Sequence, residues 1–146
     1  MQTITANNYN VYFDSKGYET LAEMLKPSHY SKIFILVDEN TSQYCLPHLL
    51  NNLATEIEIE IIELEVGEIH KNIATCTEVW GALSDLGGDR KSILINLGGG
   101  VISDLGGFVA CTFKRGIDFI NIPTTLLSMV DASIGGKNGV DLGNLK

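Results

Sequence analysis

The stretch GGGVISDLGGFVACTFKRG, residues 98–116, directly follows the apolar run SILINL, residues 92–97, and this pair of segments decides the fold. A short, continuous apolar run is typical of a strand buried on both faces, and the residues after the glycines are typical of a helix. The glycines therefore form a turn at the carboxyl end of a buried strand. Such a turn lets the backbone approach a bound group closely, and the next helix presents free N–H groups to phosphate.

The glycine turn alone does not identify a ligand, because a tight strand-to-helix turn also needs small residues for steric reasons. The usual dinucleotide fingerprint is G-x-G-x-x-G with an acidic residue about 20 positions later. This chain has G-G-G-V-x-x-D-x-x-G instead. Ligand binding and a purely steric role both remain open from this motif.

Strand and helix patterns alternate along the rest of the chain. We predict strands at 9–13, 32–38, 56–65, 92–97 and 118–123, and the alternating Glu and Ile of 56–65 indicate a strand near the sheet edge. We predict helices at 18–25, from a cap at Thr41 or Ser42 through residues 43–53 with Pro47 in the first turns or at a kink, from 71 or 72 to 86 with an end at Gly87 and Gly88, over 101–113, and from about Thr124. This alternation predicts one α/β domain with a Rossmann-like parallel sheet and helices on both faces.

Composition narrows the class of protein. A chain of 146 residues that is 45% hydrophobic can bury the core of one domain. The net charge of −8 argues against nucleic acid and anionic membrane as partners, and we find no membrane-length apolar run and no signal peptide, so we expect a cytoplasmic protein. Residues 90–146 nevertheless hold six bases against four acids, so this segment is suited to an anionic substrate.

The cysteines and histidines do not have the spacing of a metal site. We expect three buried free thiols and no metal bound by this chain alone; the residues are Cys45, Cys76, Cys111, His29, His48 and His70.

Polar residues follow several predicted strands, at the edge where open α/β sheets bind ligands. Asp38 and Asn40 could accept hydrogen bonds from ribose hydroxyls, or form an Asx turn or a helix cap. Thr124 and Thr125 could present hydroxyls to a ligand or act as competing helix caps. Asp104 is expected in the opening turn of its helix, where the helix dipole alone favours a carboxylate.

The joint pattern is more specific than any single motif. GGGVxxDxxGFxAxxxxRG at 98–116, followed by PTTLLxxVDxSxGGK at 123–137, resembles the nucleotide-binding domain of the 3-dehydroquinate synthase family, and the similarity is close from Asp38 to Lys146. The resemblance implies conversion of 3-deoxy-D-arabino-heptulosonate 7-phosphate, a phosphorylated sugar acid, into 3-dehydroquinate and phosphate. It also implies NAD, which would oxidise a ring hydroxyl transiently and take part in no net redox change.

The resemblance also implies roles for individual residues. Arg115, Asp131 and Lys137 are expected to contact the substrate, Arg115 in its own or a neighbouring subunit's site. Val66 stands where the family usually has an acid, and Ser103 where it commonly has a glycine. The expected cofactor-binding residues are Asp38, Asn40, Val66, Gly67, Glu68, Ile69, His70, Lys71, Gly99, Gly100, Val101, Ile102, Ser103, Asp104, Thr124, Thr125, Leu127, Asp131, Lys137 and Lys146.

Members of the family are longer and carry a helical second domain with a Glu and two His that bind a divalent metal, zinc or cobalt. We therefore expect residues 1–146 to be the N-terminal NAD-binding domain of a homodimeric enzyme, and to be inactive without the metal domain. The alternatives are a related sugar-phosphate cyclase, a metal-dependent alcohol dehydrogenase, or a nucleotide-binding module without catalytic activity.

Overall fold

The computed structural model describes residues 3–145 of the chain. Two short strands, β1 (Ile4–Thr5) and β2 (Asn10–Val11), form an antiparallel pair before helix α1 (Asp14–Met24). The strand predicted at 9–13 is therefore shorter than expected, and it pairs outside the main sheet.

The main sheet consists of four parallel strands, β3 (Ile33–Asp38), β4 (Ile59–Leu64), β5 (Ile93–Gly98) and β6 (Asp118–Pro123). Their order across the sheet is β4-β3-β5-β6. This order confirms the parallel sheet and the edge position predicted for the Glu/Ile segment. Because all four strands run in one direction, their carboxyl ends lie along one edge, which we call the carboxyl edge, and their amino ends lie along the amino edge.

Helices cover both faces of this sheet, as predicted. They are α2 (Glu39–Tyr44), α3 (Leu46–Asn52), α4 (Ile73–Asp85) and α5 (Gly100–Thr112) together with α1. Alternate residues of a strand point to opposite faces, so Ile33, Ile35 and Val37 pack in the cluster that holds α1 and α3, whereas Phe34 and Leu36 pack in the cluster that holds α4 and α5. All five of these strand residues are fully buried.

The segment predicted as one helix with a cap at Thr41 or Ser42 forms two helices, and the cap lies elsewhere. Asp38 caps α2, because its Oδ1 accepts a hydrogen bond from Thr41 N at 2.8 Å while Thr41 Oγ1 accepts from Asp38 N at 3.0 Å. Each residue thereby satisfies a backbone N–H that a helix start leaves free. Pro47 lies in the first turn of α3, where its missing N–H is tolerated.

The predicted end of α4 is confirmed. Gly87 has φ +80°, a backbone that favours glycine, and its N–H donates to Ser84 O at 3.1 Å. Gly88 N donates to Leu83 O at 2.7 Å, so the two glycines satisfy the last carbonyls of the helix in a Schellman motif.

The last helix begins near Thr124, as predicted, but it is short: residues 126–132 are helical, and Ser128–Ala132 form a π turn. The expectation of three buried thiols is correct only for Cys76. Cys45 is half-buried, and Cys111 is exposed because it is not on the side of α5 that packs against the sheet. None of the helices within residues 3–145 has the length and apolarity needed to cross a membrane.

Gly81 offers a test of the helix packing. It lies on the exposed side of α4, and a Cβ there would meet no atom within 4 Å among the described residues. We expect Gly81→Ala to raise the free energy of unfolding by about 0.5–1 kcal/mol, because alanine loses less backbone entropy in a helix. Denaturant titration measures this change.

Gly88→Ala is the matched control. A Cβ at Gly88 would lie 2.6 Å from Leu83 O, the carbonyl that accepts the Gly88 hydrogen bond. This variant should be destabilised, and equal stability changes in the two variants would contradict the packing described for α4.

Candidate functional site

The carboxyl edge brings together four segments that are distant in sequence. Asp38 ends β3, the loop 66–71 follows β4, Gly98 ends β5 ahead of Gly99 and Gly100, and Pro123 ends β6 ahead of Thr124 and Thr125. Strands β5 and β6 are in register up to Gly98 opposite Pro123, and Thr124 N donates to Gly98 O at 3.0 Å. The glycine turn therefore lies directly beside the threonine pair.

The amino terminus of α5 has free backbone donors. Gly99 is the residue before the helix and carries no side chain that could cap it. The first hydrogen bond of the helix runs from Ser103 N to Gly99 O at 3.0 Å, so the N–H groups of Gly100, Val101 and Ile102 have no acceptor within α5. A helix of 13 residues also concentrates partial positive charge at this end.

None of the three glycines of the turn has a positive φ, and close packing requires a glycine only at Gly98 and favours one at Gly99. A Cβ at Gly98 would lie 2.5 Å from the Cβ of Ile102, so packing excludes a side chain there. A Cβ at Gly99 would lie 3.2 Å from Thr125 Cγ2, in the gap between the two strand ends, whereas one at Gly100 would make an ordinary 3.6 Å contact with Ala132.

Lys71 and Asp104 form the shortest ion pair of the site. Lys71 Nζ lies 2.6 Å from Asp104 Oδ2 and 3.8 Å from Glu68 Oε1, and the Lys71 and Asp104 side chains are only 17% and 20% exposed. Burial by itself would lower the pKa of Lys71, but the hydrogen bond to Asp104 and the charges of Asp104, Glu68 and Asp141 raise it above the ordinary value. Lys71 therefore remains a cation at neutral pH.

The sequence predicts Asp104 in the opening turn of its helix, but it does not lie there. It is the fifth residue of α5, beyond the free N–H groups, and its carboxylate binds Lys71 instead. The helix dipole is therefore not the reason for an acid at this position.

A cavity of about 180 Å³ lies around this ion pair. Four predicted residues line it, Glu68, Lys71, Asp104 and Lys137, and so does the segment 138–141, which the sequence analysis missed. This segment returns to the site because Asp141 N donates to Lys71 O at 2.8 Å and Val140 packs against the core. In the sequence, this return is preceded by the glycine pair Gly135 and Gly136, and both residues have positive φ in the structure.

The threonine pair is used partly for local structure. Ser128 N donates to Thr125 Oγ1 at 3.2 Å, which supports the helix-cap interpretation of Thr125. The buried Ser128, another residue missed from sequence, has its hydroxyl 3.4 Å from Gly98 O and so ties this turn to the glycines. Leu127 is exposed at the same edge.

The other predicted residues of the carboxyl edge differ in what they offer a ligand. Asp38 uses Oδ1 as a helix cap, and Asn40 is exposed on α2. The Ile102 and Ser103 side chains are buried, and Ser103 N donates to Gly99 O, so of this pair only the Ile102 N–H is offered to a ligand at this edge. In the loop after β4, Val66 N donates to Glu39 Oε2 at 3.4 Å, and Gly67 has φ +134°. Ile69 is exposed, and His70 Nε2 lies 3.3 Å from Glu65 Oε2.

Arg115 lies far from this site within the chain. It follows α5 at the amino edge of the sheet, and 13 helical residues span about 20 Å. Its side chain is exposed, and its φ of +74° is unusual for a non-glycine residue. Asp131 is exposed in the π turn, and Lys146 lies outside the described residues.

Metal-binding side chains and a second cavity were the remaining candidates for a functional site. Within residues 3–145, no three His, Cys, Asp or Glu side chains are grouped so that they could hold a metal ion. A larger cavity of about 290 Å³ lies beside the start of β6, where Tyr30 OH donates to Asp118 Oδ2 at 2.9 Å. None of the predicted site residues lines it, so size alone does not locate the functional site.

Comparison with known proteins points to one family. The family described as 3-dehydroquinate synthase N-terminal matches residues 61–146. A 3-dehydroquinate synthase of Parabacteroides distasonis is 45% identical over 126 residues, which cover 86% of this chain and 35% of that protein. The chain thus spans about a third of the length of this curated relative.

Solved structures agree on the fold. A 2-deoxy-scyllo-inosose synthase complexed with carbaglucose-6-phosphate, NAD+ and Co2+ has a TM-score of 0.82 at 23% identity, covering 97% of this chain and 40% of that one. The 2-epi-5-epi-valiolone synthase of Streptomyces hygroscopicus, with NAD+ and Zn2+ bound, has a TM-score of 0.74 at 26% identity, covering 98% and 40%.

The Lys71–Asp104 pair can be tested by a double-mutant cycle with Lys71→Met and Asp104→Ala. We expect a coupling free energy of about 1–2 kcal/mol in denaturant titrations at neutral pH, between the values for exposed and for buried pairs. The exposed pair Lys16–Glu19, whose atoms are 3.4 Å apart, is the control and should couple by less than about 0.5 kcal/mol. Equal coupling in the two cycles would mean that the pair in the cavity is not preformed.

Proposed function

Because this chain belongs to the 3-dehydroquinate synthase family, we propose that its carboxyl edge binds NAD and forms part of a longer enzyme. That enzyme converts 3-deoxy-D-arabino-heptulosonate 7-phosphate into 3-dehydroquinate and phosphate. Residues 1–146 are its N-terminal NAD-binding domain. The NAD+ in both solved relatives supports the cofactor, and the sugar-phosphate analogue in one of them supports the class of substrate.

One observation carries the proposal: the uncapped start of α5 lies between the threonine pair and a cavity that contains two lysines. Three free N–H groups and the helix dipole are suited to the negative oxygens of a pyrophosphate. Gly99 lies close against Thr125, since a Cβ there would be 3.2 Å from Thr125 Cγ2. The phosphates of a dinucleotide would thus meet backbone donors of the helix start beside the Thr125 side chain.

Each part of the dinucleotide has suitable partners along the edge. Asp38 still has a second carboxylate oxygen for a ribose hydroxyl, and the neighbouring Asn40 is exposed. The loop 66–71 and Thr124 flank the pyrophosphate. Asp104, at the cavity, is then on the side of the nicotinamide.

When bound, NAD supplies a hydride acceptor that oxidises a substrate hydroxyl transiently. The residues of this chain bind and orient. Lys71, kept protonated by Asp104, is a fixed cation at the cavity, and Lys137 adds a second, exposed one. Asp104, Glu68 and Asp141 line the same cavity, so an anionic substrate would be held by the N–H donors of Lys71 that its ion pairs leave free and by the exposed ammonium of Lys137.

The longer enzyme also needs a divalent metal and a second subunit. The divalent metal, zinc or cobalt, takes its ligands from outside the described residues, in line with the Zn2+ and Co2+ of the solved relatives. The enzyme is a cytoplasmic homodimer with no nucleic acid or membrane partner. Arg115, exposed at the amino edge, contacts the substrate of a neighbouring subunit, because it is too distant to reach the cavity of its own chain.

NAD binding can be tested by calorimetric titration of the chain with two variants. Gly99→Val places a branched side chain against Thr125 at the start of α5 and should weaken NAD binding at least tenfold, with a smaller loss of thermal stability. Gly100→Ala is the control, because its Cβ makes only an ordinary contact with Ala132, and it should bind NAD within about threefold of the parent. If the parent chain does not bind NAD, or if both variants bind equally well, the proposed cofactor site is wrong.

The substrate can be tested in the longer enzyme by phosphate release. We expect release from the heptulosonate phosphate but not from a hexose 6-phosphate, which a related cyclase would use. Arg115→Ala and Lys137→Ala should each lower kcat/KM at least tenfold, about 1.4 kcal/mol of transition-state stabilisation. NAD binding without phosphate release from any of these substrates would instead favour a non-catalytic nucleotide-binding module.

A further inference from the structure

We propose that Gly107 is a positioning residue: it seats the side chain of Asn138 on α5 and so holds the segment 137–141 over the cavity. The inference rests on the proposed function only for the identity of the ligand, NAD. The docking of the segment itself follows from the contacts below.

The seat is a gap that glycine leaves on the buried face of α5. A Cβ at Gly107 would lie 2.8 Å from Asn138 Nδ2, and closer still to Cγ and Oδ1 of the same side chain. Gly107 has no positive φ, so backbone freedom does not explain it. A glycine inside a helix costs about 1 kcal/mol relative to alanine, and the close approach of Asn138 is the contact that requires it here.

Few other contacts hold this segment. Val140 packs against the core, and Asp141 N donates to Lys71 O at 2.8 Å. On the other side, Gly135 N donates to Tyr9 OH at 3.0 Å, and a Cβ at Gly136 or Gly139 would meet no described atom within 4 Å. The Asn138 seat is therefore the packing contact nearest to Lys137, and it sets where that lysine stands relative to Lys71.

The neighbouring glycine has the same packing and a different partner. A Cβ at Gly106 would lie 2.8 Å from Asn96 Nδ2 and closer to the rest of that amide. Asn96 is fully buried in β5, and its Nδ2 donates to Asn121 Oδ1 of β6 at 2.9 Å. Gly106 thus seats a residue of the sheet core, whereas Gly107 seats a residue of the site.

Gly107→Ala and Gly106→Ala therefore form a matched pair. In the whole chain, we expect Gly107→Ala to increase hydrogen exchange at the Asp141 amide at least tenfold and to weaken NAD binding at least fivefold, with nearly unchanged exchange in β3 and β5. Gly106→Ala should instead destabilise the whole domain, with no selective loss of protection at Asp141.

Asn138→Ala removes the other partner of the contact and serves if Gly107→Ala fails to fold. It should raise Asp141 exchange as Gly107→Ala does, and the double variant should be no worse than Asn138→Ala alone, because both act through one contact. Unchanged Asp141 exchange in Asn138→Ala, or additive effects in the double variant, would overturn the inference. If these exchange effects appear but the parent chain does not bind NAD, the positioning role stands and the proposed function fails.

Discussion

Helix α5 lies closer to the sheet and to the site than ordinary side chains would allow, and the rest of the structure depends on this approach. Gly98 leaves room for Ile102, Gly106 for Asn96, and Gly107 for Asn138. Each glycine gives up helix or strand propensity for a close contact. The result is a helix whose amino terminus is held directly beyond β5, with its donors open along the carboxyl edge.

The parallel sheet turns this local packing into a site. Four parallel strands bring the ends of β3, β4, β5 and β6 to one edge. Residues as distant in sequence as Asp38 and Thr125 therefore lie along the same edge. The same helix also keeps the cavity and Arg115 apart, because its two ends lie about 20 Å from one another. The cavity with Lys71 is at one end of α5, and Arg115 is at the other.

Predictions from sequence were accurate where a strong local signal acts alone. The buried runs at 33–38 and 93–98 form the central strands, and Gly87 and Gly88 end α4 as expected. Predictions failed where partners compete. Asp38, for which the sequence left a helix cap open beside a ribose contact, caps α2, and Thr41, the other predicted cap, instead returns a bond to the Asp38 backbone. After Thr124 the helix is short and includes a π turn at Ser128–Ala132, where Ser128 bonds both to Thr125 and to Gly98 of the glycine turn.

The sequence by itself determined the parallel α/β architecture, the glycine turn before α5 and the family, because buried strands, glycines and long ordered motifs are local patterns. Only the tertiary structure decided that Lys71 pairs with Asp104, that 138–141 returns to line the cavity, and that Arg115 stands at the opposite edge. These relations join residues far apart in the chain. They depend on which distant segments pack against α5, which its own glycines allow but do not specify.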